Sequence, residues 1–190
     1  GHFRVEKQLN RAQLKAITGT GVTLYDLHYR ETAMENGSTL RIYPDRTQVN
    51  TFCLMQGAMP AAPGEMGLDR MYAENNGIAV GDTVTDTNGQ TWTVTGYVAL
   101  PDYSCLFKDN TDTMFDAIKF GVAIVTQEAF DALPEQQIWN YAWQYETAPA
   151  DDRAEKDAAT DFMKVVNKTA SLQDFVPKYE NQAIIFTGDD

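Results

Sequence analysis

The chain has 190 residues, of which 43% are hydrophobic and 22% are charged, a composition typical of a folded globular protein and not of a disordered one. Its 15 basic and 27 acidic residues give a net charge of −12, which excludes the basic surface that nucleic acids and anionic lipids require. No stretch approaches the roughly 18–20 continuous apolar residues of a membrane span, and the sequence does not open with a signal peptide.

The first quarter of the chain predicts one helix followed by three strands. Gly1 and His2 are typical of residues left by cloning, so we leave them out of the fold prediction. Apolar residues at helical spacing indicate a helix over 4–18. Asn36 and Gly37 form a dipeptide that favours a type I′ hairpin turn. The predicted strands are 22–34, 38–43 and 47–55.

The middle of the chain is the most strongly patterned part. Asp69 is placed to cap a short helix over 69–75, and Gly77 follows its end. Further on, Asn88 and Gly89 lie between two runs rich in β-branched and aromatic residues. That arrangement predicts a hairpin with a type I′ turn, in which both central residues have positive φ.

The last third predicts two helices and two strands after a buried apolar run. The run over 120–126 is continuously apolar, which indicates a strand that is buried on both faces. Helices are predicted over 127–133 and 151–168, and strands over 138–146 and 172–179. One apolar stripe marks the longer helix, and it consists of Ala154, Ala158, Phe162, Val165, Val166 and Thr169.

Fifteen residues in the middle of the chain form an ordered set of turn, cap and hairpin positions. They are Gly57, Pro60, Gly64, Glu65, Leu68, Asp69, Tyr72, Ala73, Asn76, Ile78, Val80, Gly81, Asp82, Val94 and Gly96. This set resembles the extracytoplasmic domain of FtsX-like, MacB-like ABC transporter permeases. The likeness covers roughly 40–130 and continues through 100–104 and 120–123.

The order of the elements predicts a two-lobed α+β fold. Residues 1–45 and 134–190 are expected to form an α+β lobe, and 46–133 an inserted β-rich lobe. The resemblance implies the same architecture, of the MacB-like periplasmic core type. It also implies a non-catalytic domain on the extracytoplasmic face of the cell membrane, with membrane spans before and after it. That domain would transmit conformational change or handle substrate, in a permease dimer served by a cytoplasmic ATPase.

Side chains suited to catalysis or cofactor binding are few. Apart from His2, the sequence has one histidine, His28, whose place on a strand predicts a surface or edge residue. The sequence lacks a set of Cys and His residues with the spacing that a zinc site requires. We therefore expect no enzyme activity, cofactor or metal, although a secreted hydrolase that uses paired carboxylates is an alternative. Four acidic residues lie in one predicted loop, namely Asp102, Asp109, Asp112 and Asp116. Their spacing does not match that of a calcium-binding loop, so we expect a solvated loop there.

The two cysteines, Cys53 and Cys105, allow two interpretations. An extracellular setting would permit a disulfide between them that closes a large loop. Both cysteines also have apolar neighbours, which favours two buried thiols.

Four aromatic residues of the predicted strand over 138–146 share one face, namely Trp139, Tyr141, Trp143 and Tyr145. If this face were exposed, it would form a platform for a peptide, glycan or lipid, and the chain would be an extracellular ligand-binding module. Core packing beneath the helix over 151–168 is favoured, because large aromatic side chains dominate core energetics and wide apolar patches are rarely exposed.

Overall fold

The fold is known from a computed structural model that describes residues 1–45, 52–99, 119–177 and 184–185. It is a mixed α+β fold, as the sequence predicts. The helices are α1 (Arg11–Thr18), α2 (Arg70–Asn75), α3 (Gln127–Asp131) and α4 (Asp152–Thr169). The strands are β1 (His2–Val5), β2 (Val22–Asp26), β3 (Arg30–Ala33), β4 (Thr39–Pro44), β5 (Cys53–Gly57), β6 (Glu65–Asp69), β7 (Thr83–Thr85), β8 (Thr91–Ala99), β9 (Phe120–Val125), β10 (Trp139–Tyr145), β11 (Leu172–Val176) and β12 (Ile184–Ile185).

The chain divides into two compact units. We call Gly1–His28 together with Ile138–Asp190 the terminal unit, and Tyr29–Gln137 the central unit. The terminal unit contains a five-stranded antiparallel sheet with the strand order β12-β11-β1-β10-β2. Its chain order, β1–α1–β2 and then β10–α4–β11, interleaves two βαβ units in the split arrangement of ferredoxin-like domains.

The core of the terminal unit is aromatic. The ring of Phe162 on α4 lies 5.9 Å from Phe3, 5.0 Å from Trp143 and 6.1 Å from Phe175, measured between ring centroids. These side chains join α4 to strands β1, β10 and β11. Burying a side chain of this size stabilises a fold by about 2–3 kcal/mol, so the cluster is a main source of the stability of this unit.

The central unit is built on a curled, mixed seven-stranded sheet. Its strand order is β3-β4-β9-β6-β8-β5, with β7 also paired to β8. Met34 and Asp86 form an isolated bridge, and Glu35 N donates to the carbonyl oxygen of Thr85 at 3.0 Å. These contacts link the end of β3 to β7, so six of the strands close into a ring around the core. Strand β9 is buried along its whole length, as the sequence predicts.

The boundary between the units differs from the predicted one. The sequence predicts that 1–45 folds with 134–190, whereas β3 and β4 belong to the central unit. The physical reason is the parallel pairing of β4 with β9, which the order of elements along the chain does not reveal. For the same reason the single strand predicted over 22–34 is two strands, β2 and β3, in different sheets.

The beginning of the chain is a strand, and the helix predicted over 4–18 is correspondingly too long. Strand β1 lies between β10 and β11, and His2 is only 6% exposed. Helix α1 starts at Arg11, where Asn10 and Gln13 form a capping box. The helical prediction for the first residues was wrong because they alternate between core and outer face as a strand does.

Both Asn-Gly turns differ from the predicted type I′ geometry. Gly37 and Gly89 have positive φ, at 88° and 87°, but the asparagines that precede them do not. Each hairpin instead has a three-residue loop that ends in a left-handed glycine. In the second hairpin Asp86 N donates to the carbonyl oxygen of Gln90 at 2.9 Å. The Asp86 carboxylate also accepts from Asn88 N and Gln90 N, which stabilises this alternative loop.

The helices begin where side-chain caps predict. Asp69 Oδ1 accepts from Met71 N at 3.1 Å at the start of α2, and Gly77, with a φ of 67°, follows its end. Asp151 Oδ1 accepts from Ala154 N at 2.7 Å at the start of α4. Across the described ranges, none of the helices combines the length and the apolar composition that crossing a membrane requires.

Candidate functional site

The aromatic face of β10 points into the core of the terminal unit. Tyr141 is 1% exposed and Trp143 is 5% exposed. The Trp143 ring lies 5.0 Å from Phe162 and stacks on Phe175 at 4.7 Å. The Tyr141 hydroxyl accepts a hydrogen bond from Leu9 N at 3.0 Å. Tyr141 and Trp143 are therefore core residues.

The two ends of the aromatic face are more open. Trp139 and Tyr145 are half-buried and pack against the same core. The structure thus does not bring Trp139, Tyr141, Trp143 and Tyr145 together as one exposed platform. A ligand could reach only the ends of the strand, and those two ends have different surroundings.

The Trp139 end contains His28, which is not the surface or edge residue that the sequence predicts. The His28 side chain is 11% exposed, and its ring packs edge-on against Trp139 at 4.9 Å and Tyr141 at 4.8 Å. Its Nε2 lies 3.6 Å from Asp26 Oδ1. Burial is the largest influence on the pKa of His28 and lowers it, while Asp26 and the Asn140 backbone raise it by less. This environment favours a neutral imidazole that acts as a packing residue.

A pH dependence of stability follows from the lowered pKa of His28. The unfolded chain binds this proton near pH 6.5 and the folded chain at lower pH, so protonation favours unfolding. We expect stability to be retained above about pH 6.5 and to fall as the pH drops below that value. Urea unfolding at pH 7.5 and pH 5 measures the effect. In His28→Phe, which keeps an aromatic ring, the loss between the two pH values should be smaller; an equal loss would contradict this account.

Two cavities of the terminal unit open beside Tyr145, at the other end of β10. The larger has a volume of about 630 Å³ and lies between α4 and the connection from α1 to β2. The smaller, of about 280 Å³, borders Gly1 and Trp143. Ala148 and Pro149 line both cavities, as Tyr145 does. Tyr145 is the only aromatic residue of β10 that lines the larger cavity.

The Tyr145 hydroxyl is a buried polar group at this end of the strand. Its oxygen is shielded from solvent and makes no hydrogen bond of normal geometry with the described residues. Burial, the largest influence, raises the pKa of Tyr145, and the nearby Trp143 indole lowers it by less. A buried hydroxyl without a good partner is energetically unfavourable, so a ligand group that bonded to it would gain stability.

The central unit has a cavity of its own, of about 320 Å³, at the turn after β7. Its polar side chains are already engaged in the fold. Asp86 is 1% exposed and accepts from the Trp92 indole at 3.1 Å as well as from Gln90 N at 2.9 Å. These bonds hold the turn in place, which makes Asp86 a structural residue.

The structure also buries a cation that sequence reasoning missed. Arg41 is 5% exposed, and its guanidinium lies 4.2 Å from the Tyr29 ring and 5.2 Å from the Phe120 ring. Glu31 Oε1 lies 3.6 Å from its Nη2. An arginine that alternates with apolar residues on a strand predicts an exposed face. The two aromatic partners, which come from distant places in the sequence, could not be recognised before the fold was known.

The remaining candidates give no site in the described part of the chain. Cys53 is exposed on β5, so the prediction of a buried thiol is wrong for this residue. Cys105 lies outside the described residues, and so does the acidic loop of Asp102, Asp109, Asp112 and Asp116. Among the described residues, no group of three His, Cys, Asp or Glu side chains is placed to hold a metal ion.

Comparison of the sequence with models of protein families gives no match, and comparison with curated proteins gives none either.

Proposed function

We propose that this chain is an extracytoplasmic domain of an FtsX-like, MacB-like ABC transporter permease, without catalytic activity of its own. The observation that carries the proposal is the antiparallel pairing of β1 with β11, in which His2 lies opposite Val176. Neighbouring strands lie about 4.8 Å apart, so the start of β1 and the end of β11 lie side by side at one end of the sheet, before β12 runs back antiparallel along β11. Such a pair of neighbouring strand ends suits a domain whose chain enters from one bilayer surface and returns to it.

The residues that carry the resemblance support a shared fold. Glu65 Oε1 accepts from the backbone N of Ala61 and of Ala62, at 2.9 Å each. Asp82 Oδ2 accepts from Ala79 N at 2.8 Å. Gly57, Gly64, Gly77, Gly81 and Gly89 have positive φ, and three of these belong to the resemblance set. Since these residues stabilise turns and helix ends, the likeness concerns architecture and not a reaction.

Within this proposal, an ATPase partner hydrolyses ATP in the cytoplasm and the domain follows the movement of the membrane spans. Strand β1 is hydrogen-bonded to β10 on one side and to β11 on the other. A displacement that arrives through β1 or β11 therefore moves the centre of the sheet directly. The domain transmits this conformational change or uses it to handle substrate, and the full permease is expected to work as a dimer.

Co-purification tests the proposed partner. An antibody against residues 1–190 is used to recover the natural polypeptide from detergent-solubilised membranes, and ATP hydrolysis is measured in the eluate. We expect an associated polypeptide that hydrolyses ATP. An eluate without ATPase activity would contradict the permease proposal. Turnover of an ester, peptide or glycoside by the isolated domain, abolished by one Asp or Glu substitution, would support the secreted hydrolase instead.

A further inference from the structure

Helix α4 is much longer than α1, the helix beside it in the terminal unit. They have 18 and 8 residues, which correspond to lengths of about 27 Å and 12 Å. Gln13 Nε2 donates to the Thr169 carbonyl oxygen at 3.1 Å, so the start of α1 lies beside the end of α4. Helix α1 ends before it reaches the first turns of α4. The larger cavity beside Tyr145 is bordered by the residues that follow α1, Thr20–Val22, and by α4 residues between Ala154 and Val165.

This cavity is a groove of about 630 Å³ with an apolar lining. Val22, Tyr145 and Phe162 provide large apolar side chains. Ala154 and Ala158 line it from α4, and both are partly exposed. Small side chains on a helix allow a second helix to approach closely, because the distance between helix axes depends on the side chains at the contact.

The charge around the groove selects the kind of partner. Its charged lining residues are Glu146 and Asp161, both acidic. The segment 146–161 contains six acidic residues and two basic ones. Basic residues on a partner would therefore be attracted to this groove. A second copy of the chain would bring its own net charge of −12, which disfavours self-association here.

We propose that this groove binds a short amphipathic helix of a partner protein, about ten residues long, that carries lysine or arginine along the sides of its apolar face. The helix would lie in the groove with its apolar face on Tyr145, Ala154 and Ala158. Its basic residues would lie beside Glu146 and Asp161. The proposed binding site does not depend on the permease proposal. The groove is a feature of this domain, whatever the role of the protein to which the domain belongs.

Fluorescence anisotropy with a synthetic probe tests the proposal. The probe is a labelled helical peptide of about 12 residues with leucine at positions i, i+3, i+4 and i+7 and lysine at the flanking positions. We expect saturable binding to one site at about 0.15 M salt, where long-range attraction between exposed charges is largely screened. A peptide of the same composition in scrambled order should bind at least about tenfold more weakly, because it has no continuous apolar face.

Variants of the groove separate a specific site from a general attraction of charges. Ala158→Trp fills the groove, and we expect at least about a tenfold loss of affinity. Asp161→Asn should weaken binding about two- to fivefold, whereas Asp157→Asn, on the same helix but outside the groove, should leave it unchanged. Glu146→Gln, which removes the other acidic group of the groove, should also weaken binding about two- to fivefold.

Three results would overturn the proposal. One is equal binding of the scrambled peptide, which would mean that only net charge attracts the probe. Another is unchanged affinity in an Ala158→Trp variant whose circular dichroism and melting temperature match those of the unmodified protein. The third is unchanged affinity in both Asp161→Asn and Glu146→Gln, which would exclude the groove as the binding site. If Ala158→Trp does not fold, the scrambled peptide and these two variants decide.

Discussion

Replacing Trp143 with alanine is expected to lower the free energy of unfolding by about 3–5 kcal/mol, the range for removing a large buried aromatic side chain. Trp143 is 5% exposed and stacks on Phe175 at 4.7 Å, with Phe162 at 5.0 Å. The substitution leaves a cavity between β10, β11 and α4 that rigid neighbours cannot fill. Urea unfolding followed by far-ultraviolet circular dichroism measures the loss without depending on the removed indole.

Trp139→Ala is the matched control for this prediction. Trp139 lies on the same face of β10 but is half-buried, so its removal should cost less than the removal of Trp143. A Trp143→Ala protein with an almost unchanged melting temperature would contradict the core assignment. It would restore the interpretation of the aromatic face as a ligand platform.

Replacing Gly96 with alanine is expected to cost about 3 kcal/mol, for a different physical reason. A Cβ atom at Gly96 would lie 2.4 Å from the Ala58 carbonyl oxygen and 2.7 Å from the Gln56 carbonyl oxygen. Gly96 is paired with Gly57 in the ladder between β5 and β8. Because the obstructing atoms are backbone atoms, they can move away only if the two strands separate.

Gly89→Ala provides the comparison for Gly96→Ala. Gly89 has a φ of 87° with open space around it, so alanine there costs only the strain of a left-handed conformation, about 1 kcal/mol. We expect Gly96→Ala to be the more destabilising of the two in urea unfolding. Equal losses would mean that β5 and β8 do not approach as closely as the structure places them.

Local features of the fold could be predicted from the sequence because single side chains specify them. Asp69 caps α2 and Asp151 caps α4 through hydrogen bonds to backbone N–H groups two and three residues away. The continuous apolar run of β9 predicts its complete burial. Such features depend on residues that are close together in the sequence, where propensity and spacing act directly.

Features that depend on distant pairing could not be predicted in this way. The parallel pairing of β4 with β9 joins residues about 80 positions apart, and it moves the boundary between the units from residue 45 to residue 28. The geometry of the Asn-Gly turns could not be predicted from the dipeptide alone either, although the residues that determine it are close in the sequence. The Asp86 carboxylate, which bonds to two backbone N–H groups, selects a three-residue loop over the type I′ turn that the dipeptide favours.

The groove beside Tyr145 could not be predicted from the sequence, because its lining comes from parts of the chain that are far apart. The connection from α1 to β2 lies on one side of it and α4, about 130 positions later in the sequence, lies on the other. The helix predicted over 4–18 ends at the same residue as α1, so its wrong start does not affect the groove.

The location and topology of the natural polypeptide test the central claim most directly. Cells that produce it are kept intact at the cytoplasmic membrane, any outer membrane is permeabilised, and protease is added from outside. Their membrane fraction is then probed with an antibody against residues 1–190. The permease proposal predicts a membrane-bound polypeptide longer than 190 residues, whose signal disappears when protease is added to intact cells. A chain recovered free in the medium, or one that is digested only after the cells are lysed, would contradict it.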